Sequence, residues 1–204
     1  MSSKSQKSGV RSAFSLIELL VVMGVIILLM ALIVPAFNSI GRSTNLTVAA
    51  QQLADQFNAA RQQAIARNRQ VELRIYKIPD EADSTLAYRA LRVFVLNNDG
   101  SVQSRDRLQK FPKGIVISEN SSGSTLSALA ASTTNEDLPG FGASPYVYLR
   151  FRPDGSTGLN AAPTLKWFWT LVNSKGPLEA NGLPANFATI QLDPLTGRPK
   201  LFRP

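Results

Sequence analysis

The sequence predicts an α+β protein, a long N-terminal helix followed by an antiparallel β-sheet domain, and three observations carry that reading. A nineteen-residue apolar run extends from Leu19 to Phe37. Behind it Leu46, Ala49, Leu53, Phe57, Ala60 and Ala64 recur every three or four residues, while Gln51, Gln52, Asp55, Arg61, Gln62 and Arg67 take the other faces, the pattern of a helix packing one stripe on a domain. From Val71 the period changes to two, with Val71, Leu73 and Ile75 alternating with Glu72, Arg74 and Tyr76, which marks the first strand.

The elements follow in order. About twenty apolar residues at ~1.5 Å each cover the ~30 Å hydrocarbon of a bilayer, so the run from Leu19 is long enough to span a membrane. A leader of thirteen residues precedes it with Lys4, Lys7 and Arg11 and no acid, an excess that keeps the N-terminus cytoplasmic and sends the C-terminal bulk outside. Pro35 cannot donate a backbone hydrogen bond and crowds the carbonyl of Ala31, so the helix is expected to bend or loosen there. It should end at Arg67-Asn68, and from Phe14 to Asn68 it would measure on the order of 80 Å if unbroken.

Strands are then expected at Tyr88 to Leu96, at Ile115 to Ser118, around Val147 to Phe151, at Leu165 to Val172, at Phe187 to Leu192 and at Lys200 to Phe202. Asn97-Asn98-Asp99-Gly100 and Pro153-Asp154-Gly155 read as turns in which glycine supplies positive φ. The segment Glu119 to Pro145, rich in Ser, Gly, Ala and Thr, shows no period and is expected to be a long surface loop. Trp167-Phe168-Trp169 reads as alternating core of a strand rather than a stacking platform. The domains are therefore a leader (1–13), an apolar helix (14–37), its extracytoplasmic continuation (38–68) and a β-rich domain (69–204).

Composition narrows the function. The chain has 204 residues, and the roughly 165 behind the apolar run suffice for one ordinary domain. It has no cysteine and no histidine, which excludes disulfides, thiolate metal sites, histidine-based acid-base catalysis and every Ser-His-Asp arrangement. No two carboxylates are marked as facing each other, so no enzyme and no cofactor is expected. Asp99, Asp154 and Asp193 sit in turns without a D-x-D-x-D-G loop, and turn formation is favoured over calcium binding. Net charge is +8, and the leader supplies three of those charges, leaving about +5.

The entry to the apolar run, Ala13-Phe14-Ser15-Leu16-Ile17-Glu18, resembles the type IV prepilin class. A secretory signal has its small-residue cut beyond the apolar core; here the small residue comes first. The resemblance implies that prepilin peptidase cuts between Ala13 and Phe14 and that the new amine of Phe14 is methylated. The class usually has Gly before the cut, where this chain has Ala13. An ionised carboxylate in hydrocarbon is costly without a partner, and the resemblance implies one for Glu18, the Phe14 amine of a neighbouring subunit. It also assigns Pro35 to a part of the helix that unwinds partly during assembly.

Three further passages, Ala60 to Asn68 followed by Val71, Phe151-Arg152-Pro153-Asp154-Gly155, and Thr196-Gly197-Arg198, resemble the H-type minor pseudopilins of type II secretion and related minor pilins. They imply a pilin-like fold, a single-pass protein of the bacterial inner membrane with a periplasmic domain, and a structural role in a pseudopilus or pilus. Its partners would be prepilin peptidase, other pilin or pseudopilin subunits and membrane lipid. Two other readings stay open. Some related minor pilins take up DNA through a basic C-terminal stretch, which Arg198, Lys200 and Arg203 match loosely, with Pro199 lacking a donor and Lys200 lacking a bidentate fork. Arg105, Arg107, Lys110 and Lys113 form a second basic group. The other reading is a signal-anchored membrane protein that never assembles.

Overall fold

The structure, a computed structural model, describes residues 15–81, 83–104, 107–125, 129, 131–162, 164–180 and 182–204, without the side chains of 32–42 and 131–134. The leader, Ala13, Phe14, Arg105 and Asp106 lie outside the described residues, as does the Pro35 side chain. Helix α1 covers Leu16–Arg67, and ten strands follow among the described residues. They are β1 (Val71–Pro79), β2 (Leu86–Leu96), β3 (Val102–Ser104), β4 (Gln109–Lys110), β5 (Ile115–Ile117), β6 (Ala131–Leu138), β7 (Gly142–Phe151), β8 (Trp167–Asn173), β9 (Phe187–Leu192) and β10 (Pro199–Phe202). The class is α+β, as the change of period at Val71 implies. Two compact units divide at Gly41 and Arg42.

In the first unit every large apolar side chain from Leu16 to Met30 is exposed, with Leu16 at 82% and Ile27 at 66%. Among the described residues no helix is long and apolar enough to cross a membrane. The described side chains of this stretch stop at Ala31, and the length from Leu16 is about 24 Å at ~1.5 Å per residue; Leu32 to Phe37 of the apolar run lie beyond it.

The second unit holds the sheet, whose strand order is β10-β9-β8-β5-β2-β1-β7-β6, with β3 and β4 also pairing β2. Every pairing is antiparallel. The central strand β1 is flanked by β2, with Leu73 opposite Val93, and by β7, with Leu73 opposite Leu149. Because side chains alternate across a strand, Val71, Leu73 and Ile75 share a face, and that face meets α1.

The stripe read from the sequence makes that contact. Leu46, Ala49, Leu53, Phe57, Ala60 and Ala64 are all buried, and they form one core with Val71, Leu73, Ile75, Leu149, Phe151, Trp169 and Ile190. Alanines bring the helix backbone close to the sheet, and Phe57 fills the space between. Its ring lies 5.1 Å from Trp169 and 6.4 Å from Phe151, both tilted, a favoured aromatic geometry. Trp167 and Trp169 are core residues, as expected. The helix ends at Arg67 through Asn68, which has φ 50°. Asn68 N–H donates to Ile65 O and Arg69 N–H to Ala64 O, both at 3.2 Å, closing the last carbonyls in a Schellman arrangement.

One expectation needs correction. The segment Glu119 to Pro145 is not a single loop, since it contains β6 and the start of β7, joined by a turn at Pro139-Gly140-Phe141. β6 reads Ala-Ser-Thr-Thr-Asn-Glu-Asp-Leu, a polar run whose pairing comes from β7 and not from an apolar period of its own. Glu72, Arg74 and Tyr76, on the face of β1 opposite Val71, Leu73 and Ile75, are buried as well. A second apolar layer of Tyr76, Ile78, Ala90, Phe94, Leu138 and Tyr146 covers that side.

Phe57→Ala is expected to lower the unfolding free energy of the full chain in detergent by about 3–5 kcal/mol, and Asn58→Ala, on the exposed face, by no more than about 0.5 kcal/mol. Urea denaturation followed by tryptophan fluorescence checks both.

Candidate functional site

The helix entry is built by Ser15. Its hydroxyl accepts a hydrogen bond from Glu18 N–H at 3.2 Å, and its carbonyl accepts from Glu18 and Leu19 N–H at 3.1 and 3.2 Å. Ser15-Leu16-Ile17-Glu18 therefore has the spacing of a capping box, with the acid in the first turn where the helix dipole favours it. Sequence reading of the apolar run missed this, although the Ser-x-x-Glu spacing was there to find. Glu18 is the one acid of that turn, at the head of a row of exposed apolar side chains. The geometry can present a carboxylate to a neighbouring molecule from a defined helical position.

At the other end of α1, the three passages singled out in the sequence come together. Arg61 Nε donates to Thr196 O at 2.7 Å. Gly155, at φ +82°, lies against Ile65 Cδ1 and the Arg61 guanidinium, so an added Cβ would sit 3.0–3.2 Å from them. Gly197, at φ +64°, lies so close to Gly155 O that a Cβ there would overlap it. Thr157 ties the two turns together, with its N–H at 2.8 Å and its hydroxyl at 3.0 Å both donating to Pro194 O. Glycine is required here by close approach as much as by backbone angle. The contact fastens residues 94 positions apart in sequence, Arg61 and Gly155, to one point of the helix.

The aspartates of these turns are committed locally. Asp154 Oδ1 accepts from Ser156 N–H at 2.9 Å and its hydroxyl at 2.7 Å, and Asp99 binds Ser101 in the same way at 2.9 and 2.6 Å. Asp193 accepts from Leu195 N–H and the Thr196 hydroxyl, each at 2.9 Å. The Ser156 hydroxyl, ahead of its N–H, holds the Asp154 carboxyl below the ordinary aspartate range, and Thr196 does the same for Asp193. Among the described residues no group of acids is arranged to hold a metal ion.

The basic C-terminus is divided. Arg198 and Lys200 are exposed, with Lys200 Nζ 5.0 Å from the Phe202 ring centre. Arg203 is turned to a structural use, donating to Thr47 Oγ1 at 2.6 Å and Asn186 Oδ1 at 3.3 Å. In the second basic group, Lys110 pairs with Glu81 at 3.4 Å and Lys113 is exposed.

A charged cluster on the side of the sheet away from α1 was not foreseen. Glu72, 2% exposed, accepts from Arg74 Nε at 2.6 Å and Arg150 Nε at 2.8 Å. Arg74 also reaches Glu136 of β6 at 2.8 Å, and its guanidinium lies 4.1 Å from the Phe94 ring centre and 4.6 Å from that of Tyr146. Tyr76 donates its hydroxyl to Glu136. Burial, and next the Glu136 carboxylate, push the Tyr76 phenol far above its ordinary range, so it stays protonated. The cluster clamps β6 over the second apolar layer.

A helix headed by one acid, and a domain in which helix packs on antiparallel sheet, are the fold of the pilin and pseudopilin class. The family model described as type II transport protein GspH matches residues 49–176, and the chain belongs to that family. The match takes in Ala60 to Asn68 and Phe151 to Gly155, while Thr196 to Arg198 lies beyond it. The chain is a structural subunit of a pseudopilus or pilus, and its partners are other subunits of that class. It is similar to the type IV minor pilin FimU of Pseudomonas aeruginosa strain PAO1, at 16% identity over 79% of this chain and 93% of that one, with a TM-score of 0.47. It is also similar to the minor pseudopilin EpsH of the type 2 secretion system of Vibrio cholerae, at 12% identity over 78% and 98%, with a TM-score of 0.44. No curated protein matches it.

Gly140 and Gly197 both have positive φ, but nothing lies within 4 Å of a Cβ at Gly140. Gly140→Ala should therefore cost on the order of 1 kcal/mol, and Gly197→Ala on the order of 2–4 kcal/mol because the Gly155 backbone must move; thermal unfolding of the two variants distinguishes them. The depressed Asp154 and Asp193 carboxyls stabilise the fold above the ordinary aspartate range, and that contribution disappears as pH falls through their lower folded values. Amide exchange at Ser156 and Leu195 should accordingly lose protection only as pH falls beneath the ordinary aspartate range and hold steady from there to neutrality.

Proposed function

We propose that this chain is a minor pseudopilin of a type II secretion pseudopilus, delivered to the inner membrane with its N-terminus cytoplasmic and its β-rich domain periplasmic. Prepilin peptidase cuts between Ala13 and Phe14, and the Phe14 amine is methylated. The released apolar helix, 14–37, sits in lipid until the subunit joins the filament, and Pro35 is where it loosens on packing. Glu18 pairs with the Phe14 amine of the adjoining subunit and sets the axial register. The work is mechanical and no reaction is catalysed.

The family match carries this reading, and the first turn of α1 supports it. A lone carboxylate in a capped turn, followed by exposed apolar side chains, leaves the helix at a defined position and has no ion pair among the described residues. An ion pair across a subunit boundary in a dry environment is far stronger than one in water. It also penalises any register that leaves the carboxylate unpaired.

Capping and charge pairing are separable. Glu18→Gln keeps a residue that completes a capping box and removes the charge. Membrane insertion and cleavage should persist in Glu18→Gln, Glu18→Ala and Glu18→Leu, and incorporation into sheared filaments should fall at least about tenfold in all three, as loss of one buried charge pair implies. Pull-down with a tagged neighbouring subunit measures it; wild-type recovery of Glu18→Gln would remove the register role.

A further inference from the structure

A groove of about 470 Å3 is lined by Tyr148, Leu149 and Arg150 of β7, by Arg152, by Gly158 to Asn160 and by Trp167 of β8, and it is large enough for a few side chains. Its floor is apolar: Leu149 and Trp167 are nearly fully buried, and Leu159 packs beside them. The Trp167 indole N–H donates to Asn160 O at 2.8 Å, which fixes the ring and the groove wall together.

The rim has one sign of charge. Arg150 and Arg152 line the groove, and among the described residues no Asp or Glu does. Arg150 is held in place from two sides, by the buried Glu72 carboxylate on its Nε at 2.8 Å and by the Tyr148 ring, 4.8 Å away. Its side chain is still 43% exposed, so the guanidinium edge turned from Glu72 stays available in a fixed orientation. The backbone of Arg152 is held in the turn by Ser156 and Gly155, while its side chain is exposed, without a hydrogen bond or ion pair among the described residues, and its charge acts on nearby Asp154. A pre-oriented guanidinium fork matches a carboxylate in two hydrogen bonds, and an apolar floor beside it selects an apolar neighbour.

We propose that this groove binds an extended peptide segment of a partner protein carrying an Asp or Glu next to an apolar side chain. The carboxylate meets Arg150 and Arg152, and the apolar side chain covers Trp167. The site does not involve Glu18, so its failure would leave the filament role standing.

The test uses the full chain in detergent micelles and the indole N–H resonance of Trp167. The probes are the blocked pentapeptide Ala-Leu-Asp-Leu-Ala, its Asn counterpart, and a single-stranded oligonucleotide. The Asp peptide should shift the Trp167 resonance saturably, and the Asn peptide should bind about tenfold more weakly, the ratio expected of one charge-assisted hydrogen-bonded pair. Arg152→Gln should weaken the Asp peptide about fivefold and leave the melting temperature unchanged, because that side chain supports nothing in the fold. Equal binding of both peptides, no binding of either at millimolar concentration, or a preference for the oligonucleotide would each overturn the proposal. So would a Trp167 shift that grows with protein concentration alone, since a second copy of the chain would then be the occupant.

Discussion

The fold depends on how closely the second half of α1 can lie on the sheet. Ala49, Ala60 and Ala64 are fully buried on the contact face, and their small size lets β1 and its neighbours approach the helix backbone. One aromatic residue of the stripe, Phe57, is admitted there beside Leu46 and Leu53, and it packs against Trp169 and Phe151. A dense interior leaves no room for a second ring. The stripe thereby sets which strand registers bring Leu73, Leu149, Trp169 and Ile190 onto one surface, since a one-residue slip would turn each of them to the opposite face.

Around that contact the chain closes on itself at three places far apart in sequence. The turn at Gly155 and the turn at Gly197 meet each other and Arg61 at the end of the helix, while Arg203 binds Thr47 nearer its middle. On the opposite side of the sheet, Glu72 and Glu136 balance Arg74 and part of the charge of Arg150. A buried ionic cluster contributes little net stability, but losing one member leaves an unpaired charge in a low dielectric. It therefore enforces one placement of β6 more than it strengthens the domain. These closures hold the sheet domain to the second half of α1 at several points.

Much of this was legible in the sequence because burial on one side leaves a period. The stripe from Leu46 to Ala64 and the alternation at Val71, Leu73 and Ile75 locate the core directly, and Gly100, Gly155 and Gly197 mark turns with positive φ. The failures share one cause. Alternation reports only that Glu72 and Arg74 leave the apolar face; it does not report that β6 and Glu136 cover them. β6 itself is polar, and its order comes from pairing with β7 across a tight turn, which no local period records. Arg203 read only as part of a basic C-terminal stretch because its partner Thr47 is 156 residues away. The capping role of Ser15 was hidden by the apolar run behind it, which drew attention to Glu18 as a charge and away from the first turn as a local structure.

The filament role rests on release of the helix at Phe14, since an uncleaved leader leaves no free amine at that position for a neighbouring Glu18. The direct measurement is the intact mass and N-terminal sequence of the protein recovered from membranes of its native host. A mature chain beginning with N-methylated Phe14 is the predicted result. A chain still beginning at Met1 or Ser2 would contradict it and leave a signal-anchored domain that does not assemble.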